Sequence, residues 1–252
     1  MSLFEELIED TKEDKNILKS FKTKENLSDN IFDLSDDENS MRPEIRKKLI
    51  DIADDFIGTL GVEFFIHDIV LTGSLANYNW SNYSDVDLHI VIDYQETEYN
   101  VELLKEFFDA KKAVWNEKHD IIIKGFDVEI YVQDINEPHV SSGVYSVLNN
   151  KWLIPPKKNE VKIDDRKIIE KGEEFMYNIN RLVEKFKQGK DVLKGIEDLR
   201  KKLKKFRQTG LEKGGEYSYE NLTFKLLRRN GSIEELMNLK TQIVDKKLSL
   251  PQ

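Results

Sequence analysis

The chain has no cysteine among its 252 residues. That excludes a disulfide framework, a thiolate zinc site and a cysteine nucleophile. Nowhere does an apolar run reach eighteen residues, the length a membrane-crossing helix needs. The opening MSLFEELIEDTKEDK is acidic where a secretory signal would carry basic residues and a long apolar stretch. Internal repeats and low-complexity tracts are also lacking, which sets aside solenoid folds. These absences predict a cytoplasmic protein with no membrane part.

What the chain does contain is charge. Hydrophobic residues at 39% and aromatics at 10% are ordinary, but 35% charged residues implies a heavily charged surface. The net charge of −9 opposes indiscriminate binding of phosphate backbones. Its distribution is uneven: residues 1 to 55 are strongly acidic, while Lys190 to Arg229 carries twelve Lys and Arg against six acids. Such a basic stretch can face a polyanion or be a solvated helix face.

The length allows one large domain or two small ones. Residues 1–41 read as an acidic N-terminal segment and linker ending in LSDDENS. From Arg42, Ile45, Leu49, Ile52, Ala53 and Phe56 recur at helical spacing behind Pro43. Four β-rich runs follow, HDIVLTG (67–73), DVDLHIVID (85–93), HDIIIKG (119–125) and FDVEIYVQD (126–134), with the helical VELLKEFFDAKKAVWNE between the second and third. Lys124-Gly125 predicts a tight hairpin between the last two. The expectation is a core at 42–155 with a small mixed sheet flanked by helices. Beyond Pro155-Pro156, helical spacing over 165–207 and 220–246 predicts a helical domain at 156–252.

The segment LTGSLANYNWSNYSDVDLHIVID carries the chemistry. Asp85 and Asp87, two apart at the start of a strand, point the same way about 7 Å apart. Like charges held that close repel unless cations lie between them. Magnesium takes hard oxygens, commonly one or two carboxylates plus substrate phosphates. The pair therefore suits two magnesium ions, with manganese as a substitute, and a nucleoside triphosphate such as ATP. Gly73, lacking a Cβ, lets the backbone approach a phosphate, and Ser74 with the following amides can donate to it. Ser84, just before the pair, is counted with them in binding the nucleotide. A third acid must meet the attacking hydroxyl. Asp127 and Glu129 share one face of a later strand, and either can serve.

A Gly-Ser turn, about ten residues, Asp-x-Asp opening a strand, and an acid between hydrophobics on a later strand resemble the DNA polymerase beta-like nucleotidyltransferase superfamily. The likeness covers residues 67 to 134. It implies an α/β (α+β) nucleotidyltransferase core followed by a helical C-terminal domain. Gly73 and Ser74 fall on the family's phosphate-binding turn, Asp85 and Asp87 on its metal pair, and Asp127 on its third carboxylate, with Glu129 as the alternative. The whole chain is also similar to uncharacterised nucleotidyltransferase-type proteins of tailed phages, including RPEIRKKL and SSGVYSVLNNKW, which implies a host cytoplasm and no known substrate. One departure stands out: the arginine that often follows the Gly-Ser turn is missing from LANYNW.

The resemblance implies transfer of a nucleoside monophosphate from a triphosphate, with release of pyrophosphate. The acceptor hydroxyl stays open between an RNA end, a small molecule and a protein side chain. The alternative is a non-catalytic nucleotide- or partner-binding protein that retains the fold. Basic residues of the helical part, Lys201, Lys202, Lys204, Lys205, Arg207, Lys213, Arg228 and Arg229, are read either as closing over the triphosphate or as a salt-bridged helix surface. His67, His89, His119 and His139 show no metal-cage spacing and read as structural.

Overall fold

The computed structural model describes residues 14–35, 37–138, 141–158 and 162–250. The chain divides into two compact units, one of residues 23–160 and one of residues 1–22 with 161–252. Residues 1–13 of the acidic segment expected from the sequence lie outside the described residues.

In the unit of residues 23–160, the first full helix, α1 (Pro43–Gly58), places Pro43 in its first turn and buries Ile45, Leu49, Ile52, Ala53 and Phe56. Proline costs nothing there, because the first turn's N–H groups have no intrahelical partner. β1 (Asp68–Thr72) runs antiparallel to β2 (Val86–Ile92), and α2 (Val101–Lys118) follows. Asn100 caps α2 by accepting from the Leu103 N–H. The short β3 (Ile122–Ile123) turns antiparallel into β4 (Phe126–Asp134). Lys124 and Gly125 both take positive φ at this reversal, 51° and 88°, as a two-residue hairpin turn requires.

Two further strands escape sequence periodicity: β5 (Val144–Ser146) and β6 (Lys151–Ile154). The six strands form one mixed sheet in the order β3-β4-β2-β1-β5-β6, with β2 and β4 the parallel pair. One face is apolar. Ile69, Leu71, Val86, Leu88, Ile90, Ile92, Val128 and Ile130 join one core with α1 and with Leu104, Phe108 and Trp115 of α2. The intervening positions of β2 and β4, Asp87, His89, Glu129 and Tyr131, therefore share the other face.

Part of the expected N-terminal linker is structural. Leu27, Ile31, Phe32 and Met41 are buried in the same core, and Phe32 bridges Met41. Phe32 also stacks on Trp152 at 5.0 Å and meets Tyr145 edge-on, so this segment covers the β5–β6 end of the sheet.

The other unit is helical: α3 (Asp165–Lys187), α4 (Leu193–Gly214), α5 (Tyr219–Arg229) and α6 (Ser232–Leu248). The two helical stretches read from the sequence are each split at a glycine in the left-handed region, Gly189 at φ 77° and Gly231 at φ 79°, a conformation that ends a helix cheaply only with glycine. Phe175, Ile179, Ile196, Leu203, Leu227 and Leu239 centre its core. Ile17, Leu18 and Phe21 pack on Ile168, Leu222 and Leu226.

Candidate active site

The β1–β2 connection is built on Gly73, whose φ of 70° directs the chain off the end of β1. A Cβ at this position would stand 1.8 Å from Asp87 Oδ2, so the carboxylate occupies the space a side chain would fill. Asp87 is the register partner of Thr72 on one side and of Glu129 on the other. Asp85 directly precedes Val86, and Asp127 directly precedes Val128, its register partner. Two parallel strands thus each open with an acidic pair, Asp85 and Asp87 beside Asp127 and Glu129.

A polar network holds the turn. The Ser74 hydroxyl donates to that of Ser84 at 2.8 Å, and the Ser81 N–H donates to the same Ser84 oxygen at 2.9 Å. Asn77, 4% exposed, donates through Nδ2 to the Gly73 carbonyl at 3.0 Å and accepts from Ser142 at 3.0 Å. Gly143 completes the packing, since a Cβ there would lie 2.0 Å from the Ala76 carbonyl oxygen. Burying so many polar groups is tolerable because they satisfy one another. Asn77, Ser81, Ser142 and Gly143 were not singled out from the sequence. Asn77 and Ser142 meet across 65 positions and Gly143 packs on the Ala76 carbonyl, contacts that no local spacing reveals, while Ser81 reaches Ser84 within the turn itself.

Tyr131 marks where the negative charge gathers. Its hydroxyl donates a hydrogen bond to Glu129 Oε2. Burial pushes its pKa well above the ordinary tyrosine value, and the Glu129 hydrogen bond and the charges of Glu129, Asp87 and Asp85 push it further. Three of the predicted acids thus act electrostatically on one phenol. The Tyr131 ring lies 5.0 Å from that of His89, whose Nδ1 pairs with Gln133 Oε1 at 2.9 Å. Lys112 of α2 sets its ammonium 4.7 Å from the Tyr131 ring centre while pairing with Asp109 at 3.0 Å, a contact that sequence spacing did not point to.

The donor set matches magnesium in kind, hard carboxylate oxygens from adjacent strands. Among the described residues no group of three or more His, Asp or Glu side chains stands close enough together to hold a metal ion by itself. An ion there would draw the rest of its shell from water and substrate oxygens, the arrangement magnesium favours. His67 pairs with Glu96 at 3.0 Å and His119 stacks on Trp115. His139 lies outside the described residues. Comparison with protein-family models, curated proteins and solved structures finds no match to the chain.

Proposed function

We propose that the chain is a magnesium-dependent nucleotidyltransferase, transferring a nucleoside monophosphate from a nucleoside triphosphate to an acceptor hydroxyl and releasing pyrophosphate. The observation that carries this reading is the seating of Asp87 over Gly73 and beside Glu129, which brings a glycine turn and neighbouring acidic residues to one strand end.

In this reading the bond from the acceptor oxygen to the α-phosphorus forms as the bond from that phosphorus to the pyrophosphate oxygen breaks. The amides after Gly73 and the Ser74 hydroxyl bind the departing pyrophosphate, with Ser84 turning to donate to Ser74 as Ser74 donates to phosphate. Glu129, held by the Tyr131 hydroxyl, accepts the proton of the acceptor. Asp85, Asp87 and Glu129 are the residues that would hold magnesium, which supplies charge neutralisation at the phosphates. The register favours Glu129 over Asp127 as the third acid, because Glu129 and Asp87 are direct partners.

The experiment is incubation of the protein with each α-labelled nucleoside triphosphate and Mg²⁺, with total RNA, with protein alone and with small hydroxyl acceptors. Label on one acceptor class, lost in Asp87→Asn with an unchanged circular dichroism spectrum, is the expected result. Labelling that survives in Asp87→Asn would sink the assignment.

A further inference from the structure

The helical unit contains a groove of about 780 Å³ between α4, α5 and α6, built entirely from its own residues. Its lining divides sharply by chemistry. Arg200, Lys201, Lys204, Arg207 and Lys240 contribute five cations against one acid, Glu197, which lies 3.9 Å from Lys240. Between them the floor is apolar, with Leu203, Leu211, Phe224, Ile233, Leu236 and Met237. Leu211 is 37% and Met237 38% exposed, so these two side chains face solvent while Leu203 and Leu236 close the floor beneath them. In a chain of net charge −9, a cationic rim around an apolar floor is a local departure that solubility alone does not call for.

We infer that this groove receives an amphipathic helix of a partner protein, its apolar face on the floor and its acidic flank against Arg200, Lys201, Lys204 and Arg207. This inference is independent of the catalytic reading. Charge complementarity selects an acidic partner. The apolar floor selects a helix over a nucleic-acid strand, because a phosphate backbone would leave Leu211 and Met237 uncovered, whereas base stacking needs an open aromatic face. Phe224 is the groove's one aromatic, and the Arg207 guanidinium already sits 4.6 Å over its ring.

Dimensions agree. The α4 lining runs from Glu197 to Leu211, about 21 Å at a helical rise of about 1.5 Å per residue, so a partner helix of roughly fourteen residues spans it. Methionine on such a floor adapts to different apolar faces.

The test is fluorescence anisotropy of the full chain with a labelled peptide of about fifteen residues, leucine at i, i+3, i+4, i+7 and i+11 and glutamate elsewhere. A scrambled peptide of equal composition and a labelled oligouridylate are the competitors. Expected is saturable binding of the patterned peptide, weakened roughly tenfold or more by scrambling, by Lys204→Glu and by Met237→Glu. Lys204 is exposed, so Lys204→Glu keeps the test decisive if Met237→Glu disturbs folding. Equal binding of both peptides, preference for the oligouridylate, or concentration-dependent self-association relieved by Met237→Glu would each overturn the inference.

Discussion

At position 73 two constraints meet. The positive φ of 70° costs a side-chain-bearing residue about 1–2 kcal/mol, and the space beyond Cα is filled by Asp87. Gly73→Ala is therefore expected to lower stability by more than that amount, because the clash adds to the φ penalty, and to displace the carboxylate, cutting transfer by roughly 10²-fold or more. Urea denaturation and steady-state kinetics check the two parts separately. The acids of β4 separate in the same way. Glu129→Gln should cost about 10²–10⁴-fold in rate, the range for a positioned base, while Asp127→Asn should leave most activity. Asp85, Asp87 and Gly73 were legible in the sequence because they follow one another along a turn and a strand. Tyr131 shares the face of Glu129 by strand period but its hydroxyl contact was not foreseen, and the contact of Lys112 with the Tyr131 ring depends on how α2 packs on β4.

Among the elements, β4 is the strand on which the site depends most, and its outer edge is exposed beyond the two residues of β3. Asn116 of α2 closes that edge by accepting from the Ile130 N–H at 3.1 Å and donating to the Ile130 carbonyl at 3.2 Å. Asn116→Ala leaves both groups without this partner and should cost about 1–3 kcal/mol in chemical denaturation. Tyrosine titration reports on the same strand. Burial raises Tyr131 and Tyr94 well above the ordinary value, with Glu129 adding to the first and Glu137 to the second. A raised folded-state value means their contribution to stability is full below pH 10.0, the ordinary value, and is lost as pH rises above it. Ultraviolet titration should show Tyr94 and Tyr131 ionising late, with unfolding, and Tyr131→Phe should remove one tyrosine from that unfolding-linked phase. Helices and β1, β2 and β4 were legible because their periods are clean, and β3 because Lys124-Gly125 marks the reversal beside it. β5 and β6 were not, since three- and four-residue strands carry too little alternation to register.

For the whole molecule, the sheet unit and the helical unit each have a core of their own. A fragment of residues 23–160 is therefore expected to fold cooperatively alone, and a single sharp calorimetric transition would show it. The polar turn network, with its partners between residues 73 and 143, lies wholly within that fragment. The boundary at residue 23 was hidden in the sequence, because the acidic surface of residues 23–41 masks four buried side chains that dock only in three dimensions. The central claim is that Asp85, Asp87 and Glu129 together hold a divalent ion with a nucleoside triphosphate. Its most direct test is electron paramagnetic resonance of Mn²⁺ bound with a non-hydrolysable triphosphate analogue. The account predicts nucleotide-dependent binding lost in Asp87→Asn and Glu129→Gln but kept in Asp127→Asn; equal Mn²⁺ binding by all the variants would contradict it.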